Sequence, residues 1–127
     1  MGRPTETVLI IEDDPSTAEL MTEVVSSVGF RPVLAREGGE ALRLLEQQQP
    51  TAITLDLALP GIDGRSFLLG LRSRESTKRT PVIVVSANAE TLNSFERHVV
   101  AQVIPKPFDI DDLLAALQSA ANGKAHG

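Results

Sequence analysis

Three short stretches carry side chains able to do chemistry together. Glu12-Asp13-Asp14 follows the apolar run Val8-Leu9-Ile10-Ile11. Asp56 lies within Ile53-Thr54-Leu55-Asp56-Leu57-Ala58-Leu59-Pro60-Gly61, where the Pro-Gly pair reads as a turn. Lys106-Pro107-Phe108 follows Val103-Ile104. Each places a charge at the end of a short apolar run, the pattern of a strand whose carboxyl end reaches a cleft. Three carboxylates gathered in one cleft repel, and without compensation one of them takes up a proton. A hard divalent cation such as magnesium removes that conflict, because it takes oxygen ligands while keeping waters and substrate phosphate. Lys106 adds a mobile positive charge for an anionic oxygen, and Ser86 a hydroxyl. A carboxylate such as Asp56 is a competent nucleophile toward phosphorus. The chemistry these residues suit is metal-assisted phosphoryl transfer with Asp56 as acceptor.

The elements that must position them follow from the hydropathy pattern. Thr7–Ile11, Pro32–Leu34, Ala52–Leu55, Val82–Val85 and Val100–Ile104 are apolar runs without polar alternation, which predicts parallel strands covered on both faces. Between them, Met21, Val24, Val25 and Val28 recur at helical spacing, as do Ala41, Leu42 and Leu45; Phe67, Leu68 and Leu71; and Ile110, Leu113, Leu114 and Leu117. Leu92 and Phe95 mark a shorter helix and are expected in the core. Asp14-Pro15 reads as a helix start and Gly29 as its end. Asp63-Gly64 and Asp109 read as further caps, and Pro50 and Pro81 as breaks before strands. Ser73–Thr80 is polar and is expected to be a solvated loop. His98 lacks a partner at ligand spacing and is expected at a solvated helix end. The fold class is therefore α/β, with five strands and five helices alternating and an open parallel sheet covered on both faces. In such a sheet ligands bind beyond the carboxyl ends of the strands, where Glu12, Asp13, Asp56, Ser86 and Lys106 converge.

Composition bounds the alternatives. A chain of 127 residues is one domain of ordinary size and buries about two-thirds of its unfolded surface without a disulfide or zinc. There is no cysteine, which suits a cytoplasmic location. A net charge of −5 argues against direct nucleic-acid binding. No apolar run approaches the roughly 18 residues of a membrane helix. Residues 1–6 are expected to be a disordered lead-in, 7–121 the domain, and 122–127 a flexible tail.

In their order and spacing, Glu12-Asp13, Asp56 through Gly64, Ser86-Ala87 and Lys106-Pro107-Phe108 resemble the receiver domains of two-component response regulators, the CheY-like family. The resemblance runs from about Thr7 to Ala121. It implies a doubly wound, flavodoxin-like three-layer sandwich with strand order 2-1-3-4-5. It implies Asp56 as phosphoacceptor and magnesium held by Asp13, Asp56 and the carbonyl of Ala58, with Glu12 acting through metal-bound water. Ser86 and Lys106 would contact the phosphoryl group, and the Lys106-Pro107 bond is expected to be cis. The implied donor is a sensor histidine kinase or phosphotransfer protein. The implied reader is an effector protein or domain meeting the face of the fourth helix, fifth strand and fifth helix, and a phosphorylation-dependent homodimer is allowed for. Slow autodephosphorylation by water is implied as well, with Ala58 and Asn88 tuning access.

Two positions depart from the pattern. Val103 stands where the family commonly has the Tyr or Phe that moves with the hydroxyl residue, and Val99 where a Gly is usual. They keep a second reading open, a phosphorylation-independent interaction module with the same fold. A third, an aspartate-nucleophile phosphatase, is poorly served, since Ala58 stands where a second acid would be needed.

Overall fold

The computed structural model describes residues 6–124 and places a five-stranded parallel sheet at the centre of the chain. The strands are β1 Thr7–Ile11, β2 Arg31–Ala35, β3 Ala52–Leu55, β4 Val82–Ser86 and β5 Gln102–Pro105, in the order β2-β1-β3-β4-β5. The helices are α1 Pro15–Ser27, α2 Gly38–Gln47, α3 Gly64–Ser73, α4 Ser94–His98 and α5 Ile110–Lys124, with a 3-10 turn at Ala89–Thr91. This is the flavodoxin-like, CheY-like architecture. Two apolar layers flank the sheet. Leu9, Ile11, Ile53, Leu55, Val82 and Val84 meet Ala41, Leu45, Phe67, Leu68 and Leu71 on one side. Val8, Ile10, Ala52, Ile83, Val85 and Ile104 meet Met21, Val24, Val25, Leu113 and Leu117 on the other. Alternate residues of each central strand face opposite layers, which is why those strands read as unbroken apolar runs. The edge strands β2 and β5 lie open on one side and are only partly buried.

Local chemistry sets the element ends that matter for the cleft. The Asp14 carboxylate accepts hydrogen bonds from the Thr17 amide at 2.9 Å and the Thr17 hydroxyl at 2.7 Å, with Pro15 at the first helical position. These bonds hold the Asp14 carboxyl below its usual range. Gly29 ends α1 at φ +92°, a left-handed conformation that glycine adopts without a Cβ penalty. The Asp63 carboxylate accepts from the Arg65 amide at 3.3 Å and the Ser66 hydroxyl at 3.1 Å. Asp109 accepts from the Asp111 amide at 2.9 Å.

Five expectations are corrected. The last strand begins at Gln102, not Val100; Val99 and Val100 pack as partly buried side chains ahead of it. The second strand extends one residue beyond the apolar run at each end, Arg31–Ala35, because its ends pair with Thr7 and Ile11 in the parallel ladder with β1. Phe95 is not core: it is 62% exposed, whereas Leu92 is buried. Ser73–Thr80 is not simply solvated: Thr77 is buried and donates its hydroxyl to the Leu71 carbonyl at 2.7 Å, and Arg72 donates to the carbonyls of Lys78 and Thr80. The last helix continues past Ala121 to Lys124, so the expected tail is helical in its first part. The expected lead-in, apart from Glu6, and the final three positions lie outside the described residues.

Candidate functional site

The parallel strands deliver their carboxyl ends to one edge. Glu12 follows β1 directly, Asp56 follows β3, Ser86 ends β4, and Lys106 follows β5. Backbone bonds fix these positions. The Asp56 amide donates to the Ile11 carbonyl at 3.1 Å, the Glu12 amide to Ala35 at 3.0 Å, and the Lys106 amide to Ser86 at 3.1 Å. Glu12, Asp56 and Ser86 are buried, while Asp13 and Ala58 are exposed.

Lys106 closes the arrangement. Its Nζ lies 2.8 Å from Glu12 Oε1 and 3.1 Å from Asp56 Oδ2, and the side chain is 19% exposed. The second oxygen of each acid has its own donor. Asp56 Oδ1 accepts from the Ala58 amide at 3.0 Å, and Glu12 Oε2 from the Asp14 amide at 3.2 Å. Burial pushes the Glu12 carboxyl above the usual carboxylate range, against the lowering pull of Lys106 and the Asp14 amide. Burial alone would lower the Lys106 ammonium. Its hydrogen bonds to Glu12 and Asp56 outweigh that and raise it. Glu12's shift favours its neutral form and Lys106's the charged pair. The Lys106 ammonium stays charged between the two acids, and Glu12 bears the desolvation cost.

Carboxylate oxygens of Glu12, Asp13 and Asp56 lie within 4.8 Å of one another. An oxygen-only donor set at the mouth of a partly open cleft fits a hard divalent cation, with room for retained water. Ser86 stands beside this cluster in the sheet, its hydroxyl oxygen accepting from the Asn88 amide at 3.2 Å. The Lys106-Pro107 bond is cis. Gly64, at the start of α3, packs on the loop after Asp56: a Cβ there would sit 2.4 Å from the Leu57 carbonyl oxygen.

The comparisons with known proteins agree with this geometry. The model of the response regulator receiver domain matches residues 8–118. The chain belongs to that family. This receiver domain is 32% identical over 115 residues to the regulatory protein AtoC of Escherichia coli K12, covering 89% of this chain and 24% of that protein. It spans about a quarter to a half of the curated relatives it matches. A sensor protein from Polaromonas sp. JS666 superimposes with a TM-score of 0.86 at 32% identity, covering 94% of this chain and 98% of that one. The receiver domain of a sensor histidine kinase from Pseudomonas aeruginosa PAO1, solved with a magnesium ion coordinated in its active site cleft, gives 0.82 at 29% identity, covering 96% and 99%. The receiver is a signalling domain of two-component systems. Among the described residues no helix is long and apolar enough to cross a membrane.

Other expected residues fall away from the cleft. Val103 is partly buried in β5 and packs with the layer that holds Leu92. His98 is exposed at the end of α4. A cavity of about 740 Å³ lies at the opposite, amino-terminal edge of the sheet, lined by Pro50, Thr51, Pro81, Ala101 and Ala116 among others. It holds none of the cleft residues, and the chemistry identifies the cleft. Sequence reasoning missed Arg65, Glu96 and Arg97, which tie α3 to the segment after Ser86. The Asn93-x-x-Glu96 spacing, a capping box in the structure, was the one signal available for them.

Proposed function

We propose that this receiver is a phosphorylation-controlled switch in which Asp56 takes a phosphoryl group from a phosphohistidine on a sensor histidine kinase or phosphotransfer protein. The observation that carries the reading is the Lys106 ammonium, set between Glu12 and Asp56 in a buried acidic cleft. An oxygen of the Asp56 carboxylate forms the new bond to phosphorus as the phosphorus–nitrogen bond of the donor breaks, its electron pair returning to the imidazole. Lys106 would meet negative charge on the transferring oxygens, and the Ser86 hydroxyl would donate to one of them. Asp13, Asp56 and the Ala58 carbonyl would hold Mg2+, with Glu12 acting through water, and the ion would supply charge neutralisation for the clustered carboxylates and phosphoryl oxygens. Slow hydrolysis returns the protein to its starting state when water attacks phosphorus and the Asp56 carboxylate leaves; the exposed Ala58 and Asn88 set access.

The phosphorylated form favours a second conformation of the face formed by α4, β5 and α5, and an effector protein or domain that binds it better reads the signal. We expect this in the cytoplasm, without direct nucleic-acid contact. A phosphorylation-independent interaction module is the less favoured reading, since the acids, hydroxyl and lysine are all in place. Incubation with a small phosphodonor and magnesium tests the proposal. Wild type should gain one hydroxylamine-labile phosphoryl group and Asp56→Asn none; equal labelling of both would overturn it.

A further inference from the structure

The segment that follows Ser86 is held by side chains from two helices. It runs through the 3-10 turn Ala89–Thr91 into α4, which has only five residues, Ser94–His98. So short a helix has little stability of its own. Three carbonyls of the segment are taken by arginines. Arg97 donates from Nε to Leu92 at 3.2 Å and from Nη2 to Ala89 at 3.1 Å. Arg65 donates from Nη2 to the Thr91 carbonyl. Arg65 Nε also lies 3.3 Å from Glu96 Oε1, an ion pair without hydrogen-bond geometry. Glu96 is buried, and the same Oε1 accepts from the Asn93 amide at 2.9 Å, while Asn93 Oδ1 accepts from the Glu96 amide at 2.8 Å.

Arg65 reaches the segment from a fixed base. It is the second residue of α3, next to Gly64, whose backbone packs directly on Leu57 in the phosphoacceptor loop. The loop after Asp56 and the segment after Ser86 are thus joined by a polar bridge, on the side of the sheet where β5 carries Val103 rather than a ring.

We propose that Arg65 and Glu96 are positioning residues that act as a brake. They hold Ala89–Leu92 in the conformation of the unphosphorylated protein, so the phosphoryl group must break the Arg65–Glu96 bridge when it draws Ser86 toward it. The inference rests on the reading of Asp56 as phosphoacceptor and Ser86 as its hydroxyl partner. Ser86 and Asn88 run directly into Ala89, so a shift of one strains the bonds held by the other. A ligand moves such an equilibrium only by its differential affinity for the two states. Whatever free energy the bridge contributes to the resting state is therefore subtracted from phosphoryl affinity, and loss of the bridge must tighten binding.

The test uses beryllofluoride with magnesium as the phosphoryl mimic on wild type, Arg65→Ala and Glu96→Gln. Gln at 96 still accepts the Asn93 amide and keeps the capping box but loses the charge that attracts Arg65. Each variant should bind about fivefold tighter or more, the lower end of typical couplings between sites. The double variant should gain little over Arg65→Ala, which already removes both the bridge and the bond to the Thr91 carbonyl. Without the mimic, amide signals of Ala89, Thr91 and Leu92 should move toward their beryllofluoride-bound positions in the variants. A merely structural role would weaken binding or leave it unchanged. Unchanged or weaker binding in both variants, with wild type binding normally, would overturn the brake and leave Asp56 as acceptor. A wild type that ignores beryllofluoride would overturn both.

Discussion

At the carboxyl ends of β1 and β3, Glu12 and Asp56 are placed by strand ladders and by main-chain donors, the amides of Asp14 and Ala58. Beyond β4 the chain leaves the sheet ladders, its main-chain bonds are local to a 3-10 turn and a helix of five residues, and the side chains of Arg65, Arg97 and Glu96 add the rest of its hold. Main-chain placement is shared with the whole sheet and moves only if the sheet moves. Side-chain placement can be released bond by bond, so it suits a part that must change state. On the proposed reading the acidic cleft is the fixed half of the molecule and the segment leading to α4 the adjustable half.

The largest expected effect lies in the fixed half. Lys106→Ala removes the only cation bonded to Glu12 and Asp56 among the described residues. It should slow labelling of Asp56 by about 10²- to 10³-fold, as loss of a single charge-stabilising donor does elsewhere. Rates of label incorporation read this directly; labelling at the wild-type rate would remove Lys106 from the chemistry.

A smaller effect comes from the buried acid. The Glu12 carboxyl is raised above its ordinary 4.5, chiefly by burial. The folded protein then keeps a proton that the unfolded chain has lost, so this group's contribution to stability is complete below pH 4.5 and is lost as pH rises through the folded value. The slope cannot exceed about 1.4 kcal/mol per pH unit for one proton. Lys106 is also raised, but its contribution falls away only above its ordinary 10.5 and leaves the acidic window clear. Urea unfolding in chelator from about pH 4.5 to neutral, above the range in which the lowered Asp14 carboxyl loses its own contribution, should show this decline in wild type. Glu12→Gln should flatten it, and an equal slope in the variant would assign the decline elsewhere.

The smallest effect belongs to the adjustable half. Phe95 is 62% exposed on α4, so Phe95→Ala should change stability by no more than about 0.5 kcal/mol. A loss near the roughly 3–5 kcal/mol of a buried phenylalanine would mean that its ring packs inward, and would erase the contrast between the halves.

The same contrast explains what was legible in the sequence. β1 and β3 are buried on both faces, so their apolar runs mark their boundaries without help from context. Glu12, Asp56 and Lys106 were visible because each interrupts or ends such a run. The second half was harder. Leu92 and Phe95 stand at helical spacing, but Leu92 lies outside α4, whose first residue is Ser94. Spacing across a helix end says nothing about a shared face. Val100 read as strand because packing at a turn and packing in a sheet both select apolar residues. Arg65 and Glu96 lie far apart in order and meet only through the fold. Thr77 looked solvated because the Leu71 carbonyl that satisfies it is brought near only by the return of the chain after α3.

The most direct measurement is peptide mapping of the labelled protein. After brief exposure to a small phosphodonor and magnesium, the acyl phosphate is reduced with borohydride and the modified residue identified by mass. The account predicts that modification falls on Asp56 alone, is absent when magnesium is chelated, and leaves Glu12 and Asp13 untouched. Modification of Glu12 or Asp13 with Asp56 unlabelled would contradict it.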